Sequence, residues 1–436
     1  MKYFTVKNLF KTLTDLKFAL AVLGTIAIAS SFGSFIEQDE SISFYQENYP
    51  TETPIYGFIT WKFITFFGLD HVYTTFWFLL LLIILGISLI GCTFTRQFPL
   101  LINSKEYFFR KQSLSFINLP FSIKLKNFFY IKEAILLKIQ SLNFYVYQNG
   151  NFIYGYKGLI GRISPILVHL SLIIILTGSA FGAFKNFKAQ EILPKGEIFH
   201  IQNPIRIGSL TSLPTITTRV NDFWVEYKNN KIRQFYSNLS ILDNIGNEIK
   251  QQTISVNNPL RYKQVDIYQS DWNLVGIRIQ KKNDQKTYEF PCFSLKNNSK
   301  SWVTWINTSM NNKPITLVFD QLQNSFLTYD ETGNFLNIYS LGDLIENEFS
   351  VIDILPSTGL LIKYDPSIPI IYFGFALLMF TTSLSYLPYT QFWLFENIEN
   401  IWVGSLTNRG KIQLEIEFEN LIRSVENKIS KLVYIS

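Results

Sequence analysis

One histidine, His169, lies inside a run of 22 residues, residues 163–184, that carries no other ionisable side chain. A helix of this length, rising about 1.5 Å per residue, crosses the hydrocarbon core of a bilayer. Ionisable groups are costly at that depth and usually face a bundle interior, a cavity or a ligand. An imidazole there can donate a hydrogen bond, relay a proton, or bind a metal through a ring nitrogen.

These three roles of His169 make different demands on the rest of the chain. An interhelical hydrogen bond, worth about 1 kcal/mol, needs only one polar partner. A proton relay needs a series of Asp, Glu or His residues, and the predicted spans contain no other charged residue. Haem ligation suits an imidazole with small and branched apolar neighbours. No second intramembrane histidine exists, so two-histidine ligation of haem iron would require another polypeptide.

The remaining chemistry-bearing residues form no catalytic pattern. His71 and His200 lie far from His169 in sequence, and we interpret both as surface or partly buried side chains. The chain has no HExxH motif, no phosphate-cradling glycine loop and no paired-cysteine motif. Cys92 and Cys292 fall on opposite sides of the predicted membrane, so they cannot form a disulfide within one chain.

Four segments are long and apolar enough to cross a bilayer. They are residues 18–36, 72–95, 163–184 and 367–387. Charged residues make up only 17% of the chain, which fits a membrane protein with a substantial aqueous part. Small residues at four-residue spacing predict close helix packing, either within the bundle or against a partner. They are Ala21, Thr25, Ala29 and Gly33 in the first span, and Gly178 and Gly182 in the third.

The distribution of charge predicts the orientation of these spans. Residues 1–17 and 96–162 are basic, and the loop at residues 37–71 is acidic. By the positive-inside rule the two basic segments and the tail, residues 388–436, lie on the cytoplasmic or stromal side. Residues 185–366 then form one large domain on the outer, lumenal side. The net charge of +6 comes from the inner segments, so it gives no reason to expect nucleic-acid binding.

The aqueous segments have secondary-structure signals of their own. In residues 185–366, alternating apolar residues between turn signals predict a mainly antiparallel β domain. We expect its turns at Asn229 and Asn230, at residues 243–247 and at residues 332–334. In the inner loop, residues 130–142 have helical spacing. The tail is predicted to begin as a strand, with alternating apolar residues from Ile412 to Phe418, and to continue as a helix.

Six stretches distributed along the chain match a known family. They are residues 33–50, 91–99, 157–172, 234–272, 358–393 and 403–419. Through them the chain resembles the B component, of the ResB or CcsB type, of the system II cytochrome c biogenesis complex. The resemblance is strongest to the plastid and cyanobacterial form, and it runs from the first span to the tail.

The resemblance implies a function that composition does not. Members of this family pair with a CcsA-type subunit that carries a tryptophan-rich haem-binding segment. Together they move haem across the membrane, keep it reduced, and support its attachment to apocytochromes c and f. The intramembrane histidine of the family corresponds to His169, which would bind the haem iron while the partner supplies the opposite ligand. The chain would then be a subunit of a holocytochrome c synthase complex, with no catalytic residue of its own assigned.

The resemblance also implies a location, in the thylakoid membrane of a plastid or a cyanobacterium. No Ser- and Arg-rich presequence precedes the first span, so a plastid protein of this sequence would be encoded in the organelle. Two other classes remain as alternatives. One is a membrane-anchored sensor or scaffold without a haem role, although the tail has no kinase or DNA-binding pattern. The other is a transporter, which one polar residue among four spans disfavours.

Overall fold

The computed structural model describes residues 8, 10–106, 108–127, 130–228, 231–282, 286–295, 301–307, 314–320 and 325–433. Its contacts divide the chain into two compact units. The first unit takes in the described residues of Met1–Gln38, Ile42–Phe181 and Ile368–Ser436. The second unit consists of Asp39–Ser41 and Gly182–Ser367.

Among the described residues, four helices are long and apolar enough to span a membrane, as the sequence predicts. They are span one (Leu16–Phe35), span two (Phe76–Ser104), span three (Ile160–Lys185) and span four (Ile368–Ser385). Most of the residues in each of these helices are not buried against the rest of the described chain, as is typical of helices that face lipid. The protein is therefore a multi-pass membrane protein with a large β-rich domain between its third and fourth spans.

Span two is not a uniform α-helix. It consists of an α-helix over Phe76–Cys92, a π-helix over Thr93–Gln97 and a second α-helix over Phe98–Lys105. Pro99, near the start of the second α-helix, has no amide hydrogen for the usual bond to the residue four positions earlier. The Phe98 amide instead donates to the Thr93 carbonyl, five positions earlier. The missing proline donor gives a physical reason for the wider turn at this position.

Further helices and the strands make up the rest of the described secondary structure. The other helices are Ile42–Asn48, Trp61–Phe67, Val72–Thr74 (a 3-10 turn), Leu114–Ile117, Ile131–Ser141 and Lys411–Val433. The strands, in chain order, are β1 (Phe121–Lys126), β2 (Tyr145–Asn149), β3 (Phe152–Lys157), β4 (Phe187–Pro194), β5 (Ile198–Phe199), β6 (Pro204–Ile207), β7 (Thr217–Lys228), β8 (Lys231–Leu242), β9 (Glu248–Ser255), β10 (Leu260–Tyr262), β11 (Val265–Lys281), β12 (Thr287–Pro291), β13 (Phe293–Ser294), β14 (Ser301–Asn307), β15 (Pro314–Asp320), β16 (Ser325–Tyr329), β17 (Phe335–Ser340), β18 (Leu344–Ile345), β19 (Phe349–Tyr364), β20 (Thr390–Glu396) and β21 (Asn400–Thr407).

The basic loop and the tail fold together in the first unit. Their strands form one antiparallel sheet in the order β1-β21-β20-β3-β2. The predicted helix at residues 130–142 is present as Ile131–Ser141, and its buried face packs with that of the C-terminal helix. The predicted strand from Ile412 to Phe418 is wrong, because Lys411–Val433 is helical throughout. Helical packing buries Leu414 and Leu421 and leaves Ile412 exposed, so the alternation of apolar residues there was coincidental.

The second unit is built from antiparallel sheets, as the sequence predicts. Its largest sheet has the order β10-β11-β19-β4-β6, and the long strands β11 and β19 pair along almost their whole length. Two predicted turns are present, because the backbone amides of Asp243 and Asp330 donate to the carbonyls of Asn247 and Asn334. The turn predicted at Asn229 and Asn230 lies outside the described residues. Two apolar clusters form the core of this unit.

Candidate functional site

The His169 ring lies between spans two and three, half-buried, with both of its nitrogens in contact with span two. Its Nδ1 is 2.9 Å from Thr93 Oγ1 and 3.4 Å from the Leu89 carbonyl oxygen. Its Nε2 is 3.0 Å from Gln97 Nε2. The partners include both ends of the π-helix, so the irregular turn of span two is the part that meets the histidine. π-Helical turns of this kind occur frequently at functional sites.

The hydrogen bonds assign one form of the imidazole. The Thr93 hydroxyl donates to the Leu89 carbonyl at 2.8 Å, so its oxygen is free to accept a hydrogen bond from Nδ1–H of His169. Nε2 then carries the lone pair and accepts from the Gln97 amide. This neutral form, with one nitrogen held by a hydroxyl and a carbonyl, is the form in which histidines ligate metals.

The Gln97 side chain is only partly satisfied. Its Nε2 contacts His169, but its Oε1 is buried and has no hydrogen-bond partner among the described residues. An unmet acceptor in a low-dielectric site costs free energy. The conformer in which Gln97 contacts His169 therefore carries a free-energy cost, and a better partner for the His169 Nε2 can displace it.

Span three carries a second polar group on the same helix face as His169. Arg162 precedes His169 by seven residues, which is two helical turns or about 10.5 Å along the axis. Its guanidinium lies 5.1 Å from the centroid of the Tyr389 ring. Its Nε is buried and has no hydrogen-bond partner in the described part of the chain. Arg162 was not predicted as a site residue, although its spacing from His169 is visible in the sequence.

Close helix packing fixes the other side of span three. A Cβ on Gly374 would lie 2.7 Å from Ile175 Cγ1, and a Cβ on Gly178 would lie 3.1 Å from Ile371 Cγ1. Spans three and four therefore meet at backbone distance, so the glycine at 178 serves packing within the bundle. In span one the two halves of the small-residue face differ: Ala29 and Gly33 are buried, and Ala21 and Thr25 are exposed.

Comparison with known proteins identifies the family. The profile of the ResB-like family matches residues 16–325. This chain belongs to the ResB-like family. It is 44% identical to a protein of Thalassiosira pseudonana named cytochrome c biogenesis protein Ccs1, over 96% of this chain and all of that protein. It is 39% identical to one of Crocosphaera subtropica named cytochrome c biogenesis protein CcsB, over 96% and 95% of the two chains. The resemblance inferred from the six stretches is confirmed.

The other histidines of this ResB-like protein have local roles. His71 Nδ1 lies 3.0 Å from the Asp70 carboxylate, and the His71 side chain is 49% exposed. His200 Nδ1 lies 3.3 Å from Thr217 Oγ1. In the described part of the chain no three His, Cys, Asp or Glu residues are grouped to hold a metal. The described residues thus offer no cluster that could complete the coordination of a metal bound by His169.

The two cysteines of this ResB-like protein are both free and partly buried. Burial raises the pKa of the Cys292 thiol to about 12. A thiol with so high a pKa is protonated at neutral pH and is a poor nucleophile.

Proposed function

We propose that this ResB-like protein is a subunit of the system II machinery that assembles c-type cytochromes in a thylakoid membrane. In this proposal it works with a CcsA-type membrane subunit to deliver haem across the bilayer for attachment to apocytochromes c and f. The names of its relatives in a diatom and a cyanobacterium support a role in cytochrome c biogenesis. Within that complex the chain would hold and position haem, and no catalytic residue is assigned to it.

The observation that carries the haem role is the environment of His169. Its Nδ1–H is held by Thr93 and Leu89, which fixes the ring plane and directs the Nε2 lone pair toward Gln97. In metal sites such a bond at the far nitrogen makes the ligating nitrogen more basic. When bound, haem would supply a redox-active iron with an open axial position for this nitrogen. His169 is the residue of this chain that would hold it.

Two further residues have roles in this proposal. The Gln97 amide occupies Nε2 of His169 and must rotate away before a metal can bind there. Arg162, on the same helix face, has a buried Nε with no hydrogen-bond partner among the described residues. A guanidinium pairs well with carboxylates. Arg162 would therefore orient the haem with its propionates toward the inner side of the membrane.

The proposed orientation follows the charge pattern. The sheet of the first unit, which is built from the basic loop between spans two and three and from the tail, would lie on the stromal or cytoplasmic side. The second unit would lie in the lumen, where apocytochromes are matured, and would position them near the haem. His169 lies in the half of span three nearer the proposed inner face, where haem would enter.

An absorption spectrum of the purified complex with its CcsA-type partner tests the haem role. The wild-type complex should show a low-spin b-type haem, because two axial ligands give a strong field. His169→Ala should lose or weaken this spectrum and reduce holocytochrome accumulation. His200→Ala, which removes an imidazole from the second unit, is the matched control and should retain both. A normal haem spectrum in His169→Ala would refute the assignment.

A further inference from the structure

Three cationic side chains lie side by side in the second unit, at one end of its largest sheet. Arg206 on β6 pairs in register with Lys188 on β4, and Lys188 pairs with Lys363 on β19. Residues paired in this way project from the same face of a sheet, and neighbouring strands are about 4.8 Å apart. These three residues, which we call the cation row, are therefore close enough to contact one anionic group together.

The carboxylates near the cation row do not balance it. Asp39 Oδ2 lies 3.1 Å from an Arg206 guanidinium nitrogen and 4.0 Å from Lys188 Nζ. Asp266 pairs in register with Lys363, but its carboxylate lies 3.6 Å from Nε of another cation, Arg261. Counting Arg261, four cations meet two carboxylates among the described residues. Lys363 itself makes no ion pair there, and its Nζ lies 5.5 Å from the centroid of the Tyr268 ring.

The cation row lowers the stability of the folded second unit. Like charges directly opposite each other on neighbouring strands destabilise a sheet. Burial, together with the charges of Lys188 and Arg206, lowers the pKa of Lys363. The Nε of Arg206 is buried and has no hydrogen-bond partner in the described part of the chain. The backbone of Asp39, which contacts the row, is in the left-handed region at φ 63°, which is uncommon for residues other than glycine. An anion bound here would relieve the charge imbalance and could accept a hydrogen bond from the unmet donor.

The position of the row in the chain restricts what that anion can be. Lys188 follows the end of span three by three residues, and Lys363 precedes span four by five. An extended chain covers at most about 3.6 Å per residue, so the row lies within roughly 20 Å of both span ends. A ligand at that level is in reach of the headgroup region of the bilayer. A molecule with an apolar body and an anionic end fits both the row and its setting.

We propose that the cation row binds the carboxylate or phosphate group of an amphiphilic molecule at the outer membrane surface. Two sources have this chemistry: the propionates of a porphyrin, and the phosphate of an anionic lipid. Arg206 offers a forked pair of donors that suits the two oxygens of either group, and the lysines add charge. The cation row does not include His169, so a test of the row does not depend on whether His169 ligates haem.

The test uses the full chain in lipid nanodiscs and the variant Lys188→Gln/Lys363→Gln, which removes two positive charges and leaves the closer ion pair between Arg206 and Asp39 intact. The control is Lys281→Gln/Lys282→Gln, which removes the same charge from exposed positions of the same unit. Metal-free protoporphyrin IX, titrated by fluorescence, is one probe, since it cannot ligate through His169. Its dimethyl ester, which lacks the carboxylates, is the matching uncharged probe. Retention of phosphatidylglycerol against phosphatidylcholine, measured by native mass spectrometry, is the other.

We expect the row variant to bind one of the two anionic probes about tenfold more weakly than the control. Weaker protoporphyrin binding with unchanged ester binding would identify a propionate site, and weaker phosphatidylglycerol retention alone would identify a lipid site. Equal binding of both anionic probes by the row variant and the control would overturn the proposal. If the double variant does not fold, Lys363→Gln alone serves, because Lys363 makes no ion pair among the described residues. Its thermal unfolding temperature should be no lower than that of wild type, because the substitution removes a like charge from the row.

Discussion

At the scale of residues, the site depends on how one imidazole is held in an apolar setting. A histidine in a bilayer needs partners for both nitrogens, because an unmet polar group there costs several kcal/mol. Thr93 and Leu89 satisfy Nδ1 of His169, and Gln97 satisfies Nε2. The contacts at Nδ1 are held in place, because the Thr93 hydroxyl also donates a hydrogen bond to the Leu89 carbonyl. The Gln97 contact leaves one amide oxygen unmet, so it is the contact that a ligand can replace.

Replacing Gln97 by leucine should therefore favour haem binding. Gln97→Leu removes the group that competes for Nε2 and also removes the unmet Oε1. Interhelical hydrogen bonds of this kind are worth about 0.6–1.7 kcal/mol, so the affinity of the complex for haemin should rise about threefold or more. Titration of the complex followed by its Soret band measures this. Thr95→Val, on the same turn but bonded to the Gly91 carbonyl, is the control and should leave affinity unchanged.

Weaker haem binding by Gln97→Leu would contradict the proposal that Gln97 competes with haem for Nε2 of His169. It would mean that Gln97 supports the bound state, through a propionate or the iron, instead of competing with it. The spectrum distinguishes the two outcomes, because a supporting role would change the spin state of the remaining haem, and a competing role would not.

At the scale of elements, two irregular features place His169. The π-helix of span two brings both of its ends, Thr93 and Gln97, to the histidine. The glycines at 178 and 374 let spans three and four pack at backbone distance, which holds the opposite side of the His169 helix. The histidine is thus fixed between a wide turn on one neighbour and a close contact on the other.

A bulky residue at position 374 should loosen this packing. In Gly374→Val the new side chain would start 2.7 Å from Ile175 Cγ1, so the two helices must move apart. Overpacking of this kind costs about 1–3 kcal/mol and should lower the melting temperature of the detergent-solubilised protein. Gly24→Val in span one is the control, because no atom lies within 4 Å of the position its Cβ would take. Equal melting of the two variants would show that the contact is not tight.

At the scale of the whole molecule, the proposed haem site needs a second polypeptide to complete it. Its described residues bring one imidazole into the membrane-spanning part and no cluster of metal-binding residues with it. Half of the small-residue face of span one, at Ala21 and Thr25, is exposed, and a partner helix can pack there. Both features fit a protein that works in a complex.

Haem binding should therefore depend on the partner. The chain expressed alone should take up haem weakly, since one axial ligand gives a loosely held, high-spin iron. Coexpression with the CcsA-type subunit should restore a low-spin spectrum at full occupancy. Pyridine haemochrome assays on both preparations measure the occupancy. Full low-spin occupancy in the isolated chain would mean that a second ligand lies within it.

The sequence by itself determined the four spans, the β-rich unit between spans three and four, the family, and His169 as the candidate ligand. These features are local: apolar runs, alternation of residues, quoted motifs and one ionisable group in a run of 22 residues. Only the tertiary structure decided the partners of that histidine, the sheet that joins the basic loop to the tail, and the cation row. Each of these joins residues that are distant in sequence, and such pairings depend on packing that no local pattern records. The helix at 411–433 also depends on such packing, because burial of Leu421, Ile422 and Val425 against the helix at 131–141 and its sheet overrode an alternating pattern.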